Sequence, residues 1–111
     1  MEIRRATAAD AVGILECLRI AFEPYRTSYT PAGFEDTVLN ARSLADRFQT
    51  MTLFVAAGDD QVVGTIAAAV HGSEGHLRGM AVRPEWQGSE IARRLQVGRT
   101  SVRRVLTSKR A

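Results

Sequence analysis

At 111 residues, with 45 % hydrophobic and 24 % charged side chains, the chain has the composition of one folded domain, residues 1–111, and not of a disordered segment. Its single cysteine, Cys17, excludes an internal disulfide, no Cys/His cluster has metal-ligand spacing, and no apolar run approaches the roughly 20 residues that cross a bilayer. The opening Met1-Glu2-Ile3-Arg4-Arg5 lacks the apolar stretch of a signal peptide, so a cytoplasmic location is the expectation. The net charge of +3 is a sum of unlike parts. Residues 1–90 hold 8 Arg against 12 Asp and Glu, whereas Arg93, Arg94, Arg99, Arg103, Arg104, Lys109 and Arg110 come after them with no acid. A solvated Arg-rich helix face accounts for this tail, and a nucleic-acid-binding surface is the alternative.

Residues 2–6 read as a short first strand. Thr7 and Asp10 then form a capping box for a helix whose apolar residues Ala11, Ile14, Leu15, Leu18 and Phe22 fall on one face. Pro24 ends that helix, and residues 25–29 read as a polar, aromatic loop. Thr30-Pro31 supplies a cap and a first-turn proline for a second helix, with Phe34, Val38, Ala41, Ala45 and Phe48 as its inner face. Apolar runs at 52–57 and 62–70, joined by Gly58-Asp59-Asp60, predict an antiparallel hairpin. A turn at 71–75 leads to a further strand at 76–82, stopped by Arg83-Pro84. Ile91, Leu95, Val102, Val105 and Leu106 then mark a last helix, weakened by Gly98. The order β-α-α-β-β-β-α has consecutive strands, which predicts a mainly antiparallel sheet with helices packed on it, an α+β domain.

The informative stretch runs from the end of the last strand into the last helix: Gly79-Met80-Ala81-Val82-Arg83-Pro84-Glu85-Trp86-Gln87-Gly88-Ser89-Glu90-Ile91-Ala92. A strand, a Gly-containing turn and a helix start in succession aim unpaired amides and the positive end of a helix dipole at one point, which suits a phosphate. Many strand–turn–helix junctions share this arrangement, so on physical grounds alone it reads equally well as ordinary connectivity.

The same residues resemble the acetyl-CoA-binding motif of the GNAT superfamily of N-acetyltransferases, Arg/Gln-x-x-Gly-x-Gly/Ala after a strand ending in an apolar-Ala-Val triplet. Met80-Ala81-Val82 matches the triplet, Pro84-Glu85-Trp86 the approach, Gln87 the first motif position and Ala92 the last. The order of elements over residues 1 to 95 is similar as well. The resemblance implies an acetyl-CoA cosubstrate, with Met80, Ala81 and Val82 along the pantetheine arm and Gln87, Gly88, Ser89, Glu90, Ile91 and Ala92 around the pyrophosphate. It implies transfer of the acetyl group to a small amine or a protein amino group, without a metal.

This sequence departs from the family pattern in two ways. The motif's central glycine is Glu90, which brings a carboxylate toward the pyrophosphate and also suits a helix start. Family members continue past the motif helix with further strands and a helix, so the chain reads as the amino-terminal two-thirds of such a domain. The last strand then has an open edge, and pairing of that edge with another copy is the expectation. An inactive CoA-binding or partner-binding remnant is the alternative to an enzyme.

His76, Arg78, Met80 and Val82 share a face on strict alternation. In that position His76 is either a general base or a solvated strand histidine, and Glu74 either a second base acting through water or a solvated turn residue. Tyr25, Arg26 and Tyr29 lie where family members border the acceptor amine. They either select the acceptor or cover the first helix.

Overall fold

The computed structural model describes residues 1–71, 74–88 and 90–95. Strand β1 (Glu2–Arg5) leads into helix α1 (Ala11–Phe22), α2 (Pro31–Thr37) and α3 (Ala41–Thr50). Strands β2 (Thr52–Gly58), β3 (Gln61–His71) and β4 (Glu74–Val82) come next, and residues 91–95 begin helix α4. The sheet is antiparallel throughout, in the order β1-β2-β3-β4, which makes β4 an edge among the described residues. The expected α+β class is thereby found. Gly72, Ser73, Ser89 and the basic tail from residue 96, including Val102, Val105 and Leu106, lie outside the described residues.

Helices cover both faces of the sheet. Ile14, Cys17, Leu18 and Ala21 of α1 and Leu44 of α3 pack on Leu53, Val55, Val62, Ala67 and Ala81. On the other face Ile91 and Leu95 of α4 pack with Ala56, Val63, Ile66 and Val82. Helix α4 sits close because β3 has no side chain at Gly64, where a Cβ would come within 2.8 Å of Ile91 Cγ2. The expected β2–β3 hairpin is found with a shorter turn, because Gly58 pairs with Gln61 and leaves Asp59 and Asp60, both at positive φ (52° and 60°), as its two turn residues.

Local chemistry corrects the sequence reading at three places. The segment after α1 is a 3-10 helix, Glu23–Ser28, and not an irregular loop. Pro24 sits in its first turn, where a missing N–H costs nothing, and Arg26 pairs with Glu23 at 2.9 Å one turn back.

The single second helix is two. Asn40 caps α3 by accepting from the Ser43 N–H at 2.8 Å, which restarts the helix after Val38 and Leu39 and resets its phase. Leu44 and Arg47 therefore turn inward, while Ala41 and Ala45, expected inside, are exposed.

Strand β4 begins two residues earlier than expected and carries a bulge. Thr65 pairs with Ala81 and Ala67 with Arg78, so Gly79 and Met80 together oppose Ile66. Gly79 takes φ +66°, a left-handed conformation suited to glycine in such a bulge. Beyond it the alternation is reversed. His76 and Arg78 lie on the α1–α3 face, whereas Met80 and Val82 belong to the α4 face, so the four do not share one face.

Candidate functional site

The site begins at the carboxyl end of β4. Arg83 N–H donates to Val63 O at 2.9 Å, and Val82 lies opposite Gly64. Alternate residues of an antiparallel pair bond across it, so Val82 turns its own N–H and C=O toward the open edge. The Gln87 side-chain amide reaches back and donates to Val82 O at 3.2 Å, tying the motif's first residue to the strand. Pro84–Trp86 forms a 3-10 turn that carries Trp86 against the hairpin end, where a Cβ on Gly58 would meet the indole at 3.0 Å. Trp86 thus anchors the turn.

Gly88 comes next at φ +83°, with no atom within 4 Å of where its Cβ would stand. Glu90 adopts φ +71°, and its carbonyl accepts the first α4 bond, from Arg94 N–H at 2.9 Å. Helix-start amides beyond Glu90 have no acceptor one turn back within the helix and face the turn. Val82, Trp86, Gln87, Gly88, Glu90, Ala92 and Arg93 line a cleft of about 480 Å³ there. The Glu90 carboxylate is held by Arg93 at 3.0 Å, one turn along α4. Of the residues expected here, Met80, Ala81, Val82, Gln87, Gly88, Glu90, Ile91 and Ala92 are contiguous around strand end, turn and helix start. Ile91 and Ala81 point into the core, so only their backbones face the site. Ser89 lies outside the described residues.

The two candidate bases sit together farther back on β4, with His76 Nε2 3.8 Å from Glu74 Oε2 and both side chains more than half exposed. Arg78 on the same face bonds Asp36 of α2 at 2.7 Å. The expected acceptor-side residues differ in their contacts. Tyr29 packs edge-on against Phe22 and Phe34, and the Arg26 guanidinium lies over the Phe34 ring at 4.1 Å. Both lie against α1 and α2 with part of their surface exposed, and Tyr25 is exposed as well.

One inward-turned side chain beside β4 was not expected. Arg47 of α3 is only 9 % exposed and lies against the bulge, its Nη1 2.8 Å from where a Gly79 Cβ would stand. Burial lowers its pKa, the nearby Arg78 charge adds to this, and Asp36 partly offsets both. The usable signal was the Asn40-x-x-Ser43 cap, because a helix starting at Ala41 puts position 47 on the same side as Leu44.

An edge strand with outward backbone groups, a glycine-containing turn and a helix start thus meet at one cleft. The acetyltransferase (GNAT) domain model matches residues 17–98, and the chain belongs to that family. No curated protein sequence matches it. Among solved structures, PaiA N-acetyltransferase from Thermoplasma acidophilum in complex with coenzyme A is similar with TM-score 0.80 at 16 % identity, over 96 % of this chain and 73 % of that one. A GNAT-family acetyltransferase from Staphylococcus aureus Mu50 is similar with TM-score 0.72 at 14 % identity, over 96 % and 68 % of the two chains. Another, from Brucella melitensis in complex with acetyl-CoA, gives 0.68 at 24 % identity over 94 % and 69 %. At such identities the likeness establishes the fold.

Proposed function

We propose that this domain transfers an acetyl group from acetyl-CoA to a primary amine, of a small molecule or a protein amino group. The observation that carries this reading is the outward-facing backbone of Val82 beside the 480 Å³ cleft at the turn and helix start. Pantetheine would lie along the β4 edge as an added strand, bonded by backbone groups of Met80 and Val82. Amides from Gln87 through Ala92 would hold the pyrophosphate, with Arg93 adding charge at the same cleft. Unpaired by a ligand, the same edge would pair with a second copy.

In the reaction the neutral amine nitrogen forms a C–N bond to the thioester carbonyl carbon, and the C–S bond breaks. The amine gives up a proton, and the departing CoA thiolate takes one. His76, with Glu74 beside it, is the proposed proton acceptor. The bulge turns these side chains to the α2 face, opposite to Met80, so the proton would pass through water. An acceptor coming from the α2–α3 side would meet them there.

Isothermal titration of the chain with acetyl-CoA in moderate salt tests the binding, and thiol release with a panel of amines tests the turnover. Micromolar affinity with amine-dependent release is the expected result. No binding would overturn the reading. Binding without release from any amine would favour a CoA-binding remnant, the reading suggested by Glu90 at the cleft.

A further inference from the structure

The two backbone groups that Val82 turns toward the edge of β4 are not equivalent. Its carbonyl accepts from Gln87 Nε2 at 3.2 Å, five residues on, while its N–H stays directed to the edge. The side-chain bond closes a ring. The chain leaves β4 at Arg83, makes the 3-10 turn Pro84–Trp86 and comes back at Gln87, whose own N–H donates to Pro84 O at 3.2 Å. Gln87 is then extended, at φ −67° and ψ 141°, and Gly88 left-handed at φ +83°. Both residues are exposed, and no atom lies within 4 Å of where a Gly88 Cβ would stand, so packing does little to fix the backbone there. Trp86 over Gly58 secures the turn at its start, and the buried Ile91 secures α4 beyond it. Between those two points, among the described residues, the Gln87 side chain ties the turn to the strand edge.

We propose that the Gln87 side chain is a positioning residue for the acyl donor. It sets the turn so that the amides from Gln87 to Ala92 meet the pyrophosphate, and by occupying Val82 O it leaves the pantetheine only the Val82 N–H at that residue. This rests on the acetyl-CoA reading for the identity of the donor, and on the geometry for the role of Gln87. Backbone amides hold an anion well when they are already in place, because a turn that must be ordered on binding draws on the affinity. A partly exposed hydrogen bond adds little to folding, since water would serve both groups almost as well. Its effect at this position is therefore on direction, and it falls on the stretch where packing gives none. A glutamine also acts without charge, so the Glu90–Arg93 pair, 3.0 Å apart at the same cleft, is left undisturbed.

The test compares two donors that share the thioester and the pantetheine arm, acetyl-CoA and S-acetylpantetheine, of which the second carries neither pyrophosphate nor nucleotide. Binding to the full chain is read from the amide chemical shifts of Val82 and Gly88, in the parent and in Gln87→Met, a side chain of similar length that cannot donate. The acetyl-CoA affinity of Gln87→Met should fall about three- to tenfold, the effect of one hydrogen bond. S-acetylpantetheine should bind the variant as tightly as the parent or more tightly, because Val82 O becomes available to it. The denaturation midpoint should not move. Gln87→Arg, which restores a donor, should regain the parent's acetyl-CoA affinity in high salt, where its added charge is screened. An equal loss for both donors would mark a merely structural residue and overturn the proposal, as would a loss that Gln87→Arg does not regain. Acetyl-CoA binding that is the same in the parent and in Gln87→Met overturns the role of Gln87 alone. Absence of acetyl-CoA binding in the parent overturns the donor reading, and this proposal with it.

Discussion

Replacing Glu90 by glycine should tighten acetyl-CoA binding with almost no change in stability, because the two quantities respond to different parts of the same side chain. Glu90 occupies the left-handed region at φ +71°, which costs an L-residue roughly 1–2 kcal/mol relative to glycine. The variant recovers this but loses the Arg93 pair, about 0.3–0.5 kcal/mol, a helix-start carboxylate of about the same worth, and part of the gain to the freer unfolded chain. The sum lies within about 0.5 kcal/mol of zero.

Binding gains are less balanced. A carboxylate about 5 Å from a pyrophosphate charge repels it by roughly 3 kcal/mol at an effective dielectric of about 20. Arg93 at 3.0 Å compensates much of that, and solvent screens the remainder, which leaves about 1–2 kcal/mol, or roughly 5- to 30-fold in affinity. Arg93, freed from Glu90, adds to the gain. Glu90→Gln separates the contributions, since it removes the charge and keeps the strained φ. Its affinity should rise almost as much as that of Glu90→Gly. Calorimetric titration with acetyl-CoA at low and high salt, beside chemical denaturation, reads all of this. An affinity unchanged within about twofold in both variants, or a gain that persists in high salt, would refute a pyrophosphate at this turn.

Gly79→Ala should destabilise the fold by about 1–2 kcal/mol through its φ of +66°. Because the new Cβ would also meet Arg47 Nη1 at 2.8 Å, shortening residue 47 in the same chain should recover only a minor part, as a double-mutant denaturation cycle would show. Asp10 is held down to about 2 by the Arg4 hydrogen bonds, with burial opposing and the Thr7 N–H assisting. Its folded pKa lies below the unfolded one, so its contribution is present above about pH 4 and is lost as pH falls toward 2. Asp10→Asn should therefore flatten that acid limb, by about 1 kcal/mol once exposure of Arg4 is allowed for. Burial pushes the Cys17 thiol up to about 11, and alkylation at pH 8 should accordingly track unfolding, a wait removed by denaturant.

Elements governed by short-range chemistry were legible in the residues. The Asp59-Asp60 turn, the inner face of α1, the start of α2 at Pro31 and the strand–turn–helix around Gln87 all depend on neighbours within a few positions. The β4 bulge was not legible, because nothing in His76-x-Arg78-x-Met80-x-Val82 marks a broken alternation, and Gly79 alone reads as any strand glycine. The break before α3 was hidden in a similar way. Val38, Ala41 and Ala45 keep helical spacing with Phe34, and only the Asn40 cap, which acts on backbone amides, overrides that pattern. Arg47 was lost with this break, since a continuous helix would have put it outward. The contacts of Tyr29 were not legible either, because the 3-10 turn after Pro24 swings it over Phe22 and Phe34.

The order of strands in the sheet also decides how the sheet assembles. Strand β2 pairs with β3, and β3 with β4, each with its neighbour in the chain, a process of microseconds once nucleated. Strand β1 differs, because Arg5 meets Phe54 only after the whole helical segment between them has been looped back. Closing that loop costs roughly 2–3 kcal/mol more in chain entropy than closing a two-residue turn. The meander therefore grows first and β1 zips on last, with the Arg4–Asp10 pair formed as it arrives. In pulsed hydrogen exchange during refolding, the Arg4 and Ala6 amides, which face β2, should gain protection after those of Phe54 and Ile66, which pair β2 with β3, leaving the amino-terminal strand as the latch of the sheet.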